Sequence, residues 1–317
     1  MNLLFILDPL DQLKPEKDTS LAIMRAAAAR GHQLLVAMQH DIFLRNEKVC
    51  IRAQHFQFDE NGFNCSAPQE ISPSTVDAIL MRKDPPFDNE YLYSTYLLEM
   101  AQNQGATVLN NPLAIRNWNE KLSVTRFPQF APQFLATANN DLVREFLAEQ
   151  HDIVVKPLDG MGGSSIFRLK TDDPNISVIL ETITKFGTQT VMAQQYLPQI
   201  LQGDKRILVI NGEPLPYALA RIPKAGETRG NLAAGGTGVA QKLSARDLEI
   251  ATTVGNVLKK EGLFLVGLDV IGDHLTEINV TSPTGMVEIA KQTKNLPVPC
   301  DPAQVMLNAL ESYLRKN

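Results

Sequence analysis

The chain has 317 residues, of which 44% are hydrophobic and 21% are charged, and its net charge is −5. That length exceeds one ordinary hydrophobic core, so we expect two or three packed subdomains. The acidic balance excludes the broad positive surface that non-specific nucleic-acid binding requires. No run of the sequence approaches the roughly 20 apolar residues that span a bilayer. The three cysteines form no Cys-x-x-Cys pair, which favours reduced thiols and a cytoplasmic protein. From the absence of a long apolar run we also expect no membrane partner.

Residues 1–120 alternate between strand and helix patterns. Short apolar runs predict buried parallel strands, and the segments between them predict helices. The predicted strands are 3–7, 33–38, 78–82 and 107–109, and the predicted helices are 18–30, capped by Asp18 or Thr19, and 90–104. This alternation favours a doubly wound α/β domain with right-handed crossovers. The stretch 39–76 carries no motif that we can place.

Beyond residue 120 the pattern changes to strand followed by strand, which favours antiparallel pairs. Asn211-Gly212 lies between two apolar runs and predicts a type I′ hairpin turn. The predicted strands are 153–156, 166–170, 191–197, 263–271 and 275–280, with a helix at 141–149 capped by Asn140. We therefore predict two α+β subdomains, 121–200 and 201–317.

A glycine-rich turn follows the predicted strand that ends at Lys156. Glycines let backbone N–H groups approach an anion closely, and serine hydroxyls add donors. The candidate phosphate-binding residues are Lys156, Gly160, Gly162, Gly163, Ser164 and Ser165. The turn is neither a Walker A loop, because the chain has no Gly-Lys dipeptide, nor a Rossmann fingerprint, because a strand pattern follows it. A plain hairpin turn is the alternative.

An acidic hairpin surrounds Gly272-Asp273. Glu277 and Asn279 share one strand face because side chains alternate along a strand, and oxygen ligands of this kind suit Mg²⁺. Asp269 joins them only if it pairs with Glu277, which requires a three-residue turn or a bulge rather than a simple two-residue turn. A hairpin with a solvated polar face is the alternative.

Charged residues also lie at predicted strand ends, where α/β proteins bind ligands. Arg82, Lys83 and Asp84 follow one strand, and Arg206 and Arg221 lie at the ends of two others. Arginine forks bind carboxylates with two hydrogen bonds. The alternative for each charged residue is an ion pair on the protein surface. The small-residue stretch 225–238, with Arg229 and Asn231, predicts either a lid over a site or a linker.

Eight segments in order resemble the prokaryotic glutathione synthetases, which are ATP-grasp ligases. They begin at Met81, Asn119, Lys156, Gln194, Gly203, Ala220, Gly226 and Val266 and read MRKDPPFD, NEKL, KPLDGMGGSSIFR, QQYLP, GDKR, ARIP, GETRGNLAAGG and VGLDVIGDHLTEINVTSPTG. The resemblance covers most of the chain. It implies an ATP-grasp fold in which the N-terminal doubly wound domain, 1–120, joins two α+β subdomains that enclose the nucleotide.

The same resemblance implies nucleotide and metal ligands. Lys121 and Lys156 would hold the phosphates of ATP, and the loop from Gly160 to Ser165 would cover them. The hinge strand Gln195, Tyr196 and Leu197 would meet adenine through its backbone, and Asp204 would hold the ribose or support the site. Asp269, Glu277 and Asn279 would bind Mg²⁺ or Mn²⁺. On this basis we expect Glu277→Gln to abolish turnover and, with one buried carboxylate fewer, to raise thermal stability slightly.

The implied reaction joins γ-glutamylcysteine to glycine through an acyl phosphate. Arg206, Arg221, Arg229 and Asn231 would face the reacting carboxylate, and Arg82, Lys83, Asp84 and Ser282 would contact the peptide substrate. Some members of the family carry a basic residue soon after the Ser-Pro-Thr turn, whereas this chain has Val287, so we expect the glycine carboxylate to be held differently here. We expect a homo-oligomer. The alternatives to the implied function are a different ATP-grasp peptide ligase and a nucleotide-binding module without activity.

Limited proteolysis tests the lid. Small residues and few apolar anchors predict low local stability between residues 225 and 238 without ligand. Trypsin should cut near Arg229 in the free protein and more slowly when an ATP analogue and the peptide donor are bound. Equal cleavage rates in the two states would identify the segment as a linker.

Overall fold

The computed structural model describes residues 1–60, 62–224, 226, 230 and 235–316. The helices are α1 (Thr19–Ala29), α2 (Asn89–Asn103), α3 (Pro112–Asn117), α4 (Asn140–Gln150), α5 (Ile176–Ile183), α6 (Ala245–Lys260), α7 (Met286–Thr293) and α8 (Pro302–Leu314). The strands are β1 (Asn2–Leu7), β2 (Gln33–Met38), β3 (Ile42–Arg45), β4 (Lys48–Asp59), β5 (Gly62–Cys65), β6 (Gln69–Ile71), β7 (Ala78–Met81), β8 (Val108–Leu109), β9 (Phe134–Thr137), β10 (Asp152–Pro157), β11 (Phe167–Lys170), β12 (Val191–Gln195), β13 (Asp204–Ile210), β14 (Glu213–Ile222), β15 (Thr237–Lys242), β16 (Leu265–Ile271) and β17 (His274–Asn279).

The N-terminal sheet confirms the doubly wound prediction. Its parallel strands run in the order β2-β1-β7-β8. Alternate residues of β1 enter two different cores: Leu4 and Ile6 pack with residues of α2, whereas Leu3 and Phe5 pack with residues of α1. Helices therefore cover both faces of the sheet, as expected for buried parallel strands. Asp18 caps α1, since its Oδ1 accepts from the backbone N of Leu21 at 2.7 Å.

The unassigned stretch 39–76 extends this sheet. Strand β4 pairs antiparallel with β2, and β3, β5 and β6 all pair antiparallel with β4. The result is a mixed sheet whose parallel part lies on one side of β2 and whose antiparallel part lies on the other.

The central sheet, in the order β11-β10-β12-β9, is antiparallel and has its own small core with α4 and α5. Helix α4 is capped by Asn139, not by the predicted Asn140, because the Asn139 side chain accepts from the backbone N of Asp141 at 2.8 Å. The predicted strand pair at 153–156 and 166–170 is confirmed as β10 and β11.

The C-terminal sheet runs in the order β15-β14-β13-β16-β17, all antiparallel. The Asn211-Gly212 turn is confirmed: Ile210 pairs with Glu213, and the turn residues have φ of 49° and 86°, as a type I′ turn requires. Each sheet lies within one of the three predicted parts of the chain, and the boundaries at 120 and 200 stay a prediction. Within the described residues, none of the helices combines the length and apolar character needed to cross a membrane.

A bulge in the β16–β17 hairpin decides where its carboxylates face. The turn has two residues, since Ile271 pairs with His274, and the register shifts so that Asp269 pairs with Glu277. The extra residue is Thr276, whose hydroxyl donates to the backbone O of Asp269 at 3.1 Å. The bulge therefore places Asp269, Glu277 and Asn279 on one face, which is the condition that the metal prediction required.

Asn110, directly after β8, joins the N-terminal sheet to the C-terminal sheet. Its amide donates to the backbone O of Leu265 at 2.9 Å and of Val280 at 2.7 Å. Its Oδ1 accepts from the backbone N of Phe264 at 2.7 Å and of Leu265 at 2.8 Å. The side chain is 5% exposed, so water does not replace these bonds.

Asn110→Ala should therefore destabilise the protein strongly. The substitution leaves four buried backbone groups without a partner, and each such loss costs about 1–3 kcal/mol. We expect the free energy of unfolding to fall by at least about 3 kcal/mol in urea titrations. Asn256→Ala, on the exposed side of α6, is the matched control and should cause no loss. A loss below about 1 kcal/mol for Asn110→Ala would contradict the proposed junction.

Candidate active site

A cavity of about 570 Å³ lies where the three sheets meet. It is bounded by the glycine-rich loop after β10, by the end of β12, and by the facing ends of β13, β14, β16 and β17. The predicted site residues that line it are Asp84, Lys121, Lys156, Gly160, Gly162, Gly163, Ser164, Gln195, Tyr196, Leu197, Asp204, Arg206, Arg221, Asp269, Glu277, Asn279 and Ser282. The fold thus brings together in one place residues that are up to about 200 positions apart in the sequence.

Three predicted residues do not line this cavity: Ser165, Arg82 and Lys83. Arg82 is 6% exposed and donates to the Ser20 hydroxyl at 3.1 Å and to the backbone O of Pro283 at 3.0 Å. Lys83 forms an ion pair with Asp8 at 2.7 Å. Both cations thus have partners within the protein, but Nη1 of Arg82 is buried without a partner among the described residues. Their contact with substrate stays a prediction. Arg229 and Asn231 lie outside the described residues.

Asp269 is held between two arginines. Arg206 binds it with both Nε and Nη2, the latter at 3.0 Å from Oδ2, and Nη2 of Arg221 lies 2.8 Å from the same oxygen. Arg221 also pairs with Asp204. Burial would raise the pKa of Asp269, but the two guanidinium groups hold it well below its usual range. Burial raises the pKa of Asp204 to about 6, against the opposing effect of Arg221.

Glu277 is paired with two lysines. Its Oε1 lies 3.4 Å from Nζ of Lys156 and 3.7 Å from Nζ of Lys121. Lys121 also donates to the backbone O of Gly160 at 2.7 Å, which ties the glycine-rich loop to the cluster. Burial would raise the pKa of Glu277, and the two ammonium groups lower it overall. Burial lowers the pKa of Lys156 despite the attraction of Glu277.

The candidate metal ligands are two carboxylates and one amide. Asn279 donates from Nδ2 to the backbone O of Gly267 at 3.2 Å, so its amide oxygen is the atom left for a metal. In the described part of the chain, no group of three Asp, Glu, His or Cys side chains is arranged to hold a metal. Mg²⁺ commonly takes only one or two carboxylates and completes its shell with water and phosphate oxygens. The residues present fit such an ion bound together with a nucleotide.

The glycine-rich loop has the backbone shape that its composition predicts. Gly162 and Gly163 have φ of 63° and 80°, a region that favours glycine. A Cβ on Gly160 would lie 2.7 Å from the ring of Pro157. Strand β11 follows the loop and pairs antiparallel with β10. Because a strand follows the loop, it is not a Rossmann fingerprint, as predicted.

Sequence reasoning missed several cavity residues, among them Gln194, Glu120 and Glu288. Gln194 is 4% exposed, and its Nε2 has no partner among the described residues. Glu120 accepts from the Thr281 hydroxyl at 2.9 Å, and burial raises its pKa. Glu288, in the first turn of α7, is the third. Gln194 interrupts an apolar strand just before the predicted hinge, and that polar residue is the signal that could have found it.

Two α+β subdomains enclose the cavity, with a glycine-rich loop and lysines on one wall and paired acidic residues on the other. These features define an ATP-grasp ligase. Two family models match the chain. The N-terminal domain of prokaryotic glutathione synthetase matches residues 1–116, and its ATP-grasp domain matches residues 120–294. The chain belongs to the prokaryotic glutathione synthetase family.

Individual relatives agree with this assignment. A glutathione synthetase of Nitrosomonas europaea is 57% identical over 324 residues, covering 100% of both chains. One from Pseudomonas aeruginosa is 54% identical over 287 residues, covering 90% of each. Among solved structures, D-cycloserine synthetase DcsG aligns with a TM-score of 0.68 at 14% identity over 98% of this chain and 99% of that one. D-alanyl-alanine synthetase A from Vibrio cholerae aligns with a TM-score of 0.62 at 14% identity, over 100% and 98%; these two show the fold alone.

Glu277→Gln tests the acidic face. The sequence led us to expect a small gain in stability, but the contacts of Glu277 favour a loss, because the substitution leaves the buried ammonium groups of Lys121 and Lys156 without their carboxylate. We expect turnover to fall at least about 100-fold and the midpoint of thermal unfolding to fall by several degrees. ADP release and calorimetry measure the two effects. Glu249→Gln, at an ion pair on the protein surface, is the control and should change neither turnover nor the unfolding midpoint. Wild-type turnover in Glu277→Gln would show that the Glu277 carboxylate takes no part in the reaction.

Proposed function

We infer that this protein joins γ-glutamylcysteine to glycine in an ATP-dependent reaction, giving glutathione, ADP and phosphate through an acyl-phosphate intermediate. The observation that carries the inference is the match to glutathione synthetases at 50–57% identity over 90–100% of the chain. The cavity agrees with it, because buried cations and carboxylates line one continuous space between the sheets.

We propose that the nucleotide lies between the central and C-terminal sheets. Lys121, Lys156 and the loop from Gly160 to Ser164 would bind the phosphates, since ammonium groups and glycine N–H groups are donors suited to them. The backbone of Gln195 to Leu197 would meet the base, and the orphaned amide of Gln194 supports an added polar contact there. Asp204, with one buried oxygen lacking a partner, would accept from a ribose hydroxyl.

We propose that Asp269, Glu277 and Asn279 hold Mg²⁺ or Mn²⁺ when the nucleotide is bound. The ion would supply charge neutralisation at the phosphates. The protein side of this arrangement is rigid, because Arg206 and Arg221 fix the Asp269 carboxylate and two lysines fix that of Glu277.

The chemistry proposed for the donor is attack of the cysteine carboxylate on the γ-phosphorus of ATP, with ADP leaving. The amine of glycine, once deprotonated, then attacks the acyl carbon, and phosphate leaves with one oxygen of the donor. Arg206 and Arg221 would orient the donor carboxylate and offset charge that develops on its oxygen. Ser282 and Asp84, which share a hydrogen bond, would contact the peptide, and Arg229 and Asn231 would act from the loop.

A second candidate is another ATP-grasp ligase that joins a different carboxylate and amine. The shared fold with D-cycloserine and D-alanyl-alanine synthetases supports this alternative only at the level of the fold. A module that binds nucleotide without reacting is disfavoured by the intact set of Lys156, Glu277 and Asn279. We also propose a cytoplasmic homo-oligomer without nucleic-acid or membrane partners. The net charge of −5 supports the absence of a nucleic-acid partner.

Coupled ADP release tests the function. With MgATP, ADP should form rapidly only when γ-glutamylcysteine and glycine are both present, and glutathione should form in equal amount. γ-Glutamyl-α-aminobutyrate should also react, because one group in an apolar pocket changes specificity by only about 1–3 kcal/mol. Larger amino acids should be poor acceptors. Faster turnover with another amino acid, or ADP release without glycine, would favour the second candidate.

A further inference from the structure

The carboxylate of Glu288 has no use in the chemistry described above. It lies in the first turn of α7 and lines the cavity. Its Oε2 is buried and accepts no hydrogen bond from the described residues. A buried carboxylate oxygen without a donor is costly, so a donor supplied by a ligand is the natural explanation.

The same cavity is lined by the loop between β1 and α1, which faces α7. The two segments touch, since Nζ of Lys291 donates to the backbone O of Glu16 at 2.8 Å. Lys14, Lys17 and Asp18 of this loop line the cavity with Glu288. Among the residues that the structure describes, neither lysine has an ion-pair partner. Glu288 and these two lysines thus line the same cavity, on two segments that touch each other.

A carboxylate and lysine ammonium groups in the same cavity suit a zwitterionic ligand. The donor carries its reactive carboxylate on cysteine and an α-ammonium with an α-carboxylate on the γ-glutamyl residue. If Arg206 and Arg221 orient the reactive end, the other end needs an acceptor for the ammonium and a cation for the carboxylate. Neither glycine nor ATP offers both a free ammonium and a free carboxylate, because the amine of glycine is its reacting group and ATP carries neither group.

Resting on the function proposed above, we propose that Glu288 binds the α-ammonium of the γ-glutamyl end of the donor, and that Lys17 binds its α-carboxylate. Charge-assisted hydrogen bonds of this kind are stronger than neutral ones. Because both groups lie far along the donor from the reacting carbon, they set affinity and specificity for a γ-glutamyl donor rather than the rate of the chemical step.

Steady-state kinetics with matched donors tests the assignment. The donors are γ-glutamylcysteine, glutarylcysteine, which lacks only the ammonium, and 4-aminobutyrylcysteine, which lacks only the α-carboxylate. For Glu288→Gln we expect the KM of γ-glutamylcysteine to rise about 10- to 100-fold, with the KM of ATP and of glycine within about twofold of wild type. The wild type should discriminate against glutarylcysteine by the same factor, and Glu288→Gln should no longer distinguish the two donors.

The other variants complete the cycle. Lys17→Met should lose discrimination against 4-aminobutyrylcysteine but keep discrimination against glutarylcysteine. Glu90→Gln, in the first turn of α2 on the protein surface, is the matched control and should behave as wild type. The wild-type comparison of donors needs no variant, so it stands even if a substitution disturbs folding.

Each remaining outcome overturns the assignment. An unchanged donor KM in Glu288→Gln, or equal use of glutarylcysteine by the wild type, would mean that Glu288 does not bind the ammonium. A raised KM for glycine with an unchanged donor KM would place the acceptor amine at Glu288 instead. A wild type that releases no ADP with γ-glutamylcysteine and glycine would overturn the proposed function, and with it this site, whereas an active wild type with an unresponsive variant overturns the site alone.

Discussion

The pairing of Asp269 with Arg206 and Arg221 is the interaction on which the rest of the site depends. All three residues are at most 7% exposed, and any one of their side chains alone would be costly to bury as an ion. Together they satisfy one another, and Asp204 and the Lys121–Glu277–Lys156 group continue the alternation of charge. Removing Asp269 leaves the buried Arg206 without its carboxylate, and removing either arginine leaves Asp269 with one partner fewer. The three side chains therefore depend on one another. A carboxylate substrate and polyphosphate can then enter a site whose cations are already fixed in place.

The backbone makes this cluster possible. The bulge at Thr276 turns Glu277 to the same face as Asp269, and β13 brings Arg206 opposite Asp269 in the neighbouring strand. Strand β14 brings Arg221 opposite Asp204. Lys156 comes from the central sheet, so the cluster also ties two sheets together across the cavity. The N-terminal sheet is joined through Asn110, and the loop after its first strand supplies lysines that line the cavity with Glu288.

Much of the fold could be predicted from the sequence, because apolar runs and turn residues carry local signals. Strands β1 and β2 and the Asn211-Gly212 turn were predicted in this way and are confirmed. The antiparallel strands between residues 42 and 71 were missed, although β4 alternates buried and exposed residues, because their place depends on pairing with each other. The predicted cap at Asn140 was wrong by one residue, since two adjacent asparagines both suit a cap and only the backbone decides between them.

The site residues were predicted less completely than the fold. The family resemblance gathered most of the residues that line the cavity, and the position of Asp269 depended on a bulge that the sequence left open. Gln194, Glu120 and Glu288 carry no sequence signal beyond being polar, because an orphaned oxygen or amide is visible only once its neighbours are in place. The predicted roles of Arg82 and Lys83 in substrate binding stay predictions. Arg82 contacts Pro283 and Lys83 contacts Asp8 within the protein.

The central claim is that the donor carboxylate is activated as an acyl phosphate in this cavity. Its most direct test is isotope transfer from γ-glutamylcysteine labelled with ¹⁸O in both oxygens of the cysteine carboxylate. If the carboxylate attacks the γ-phosphorus, the phosphate released with glutathione carries one ¹⁸O, and the other label stays in the new amide carbonyl. Phosphate that carries no label, while glutathione forms at the normal rate, would contradict the account.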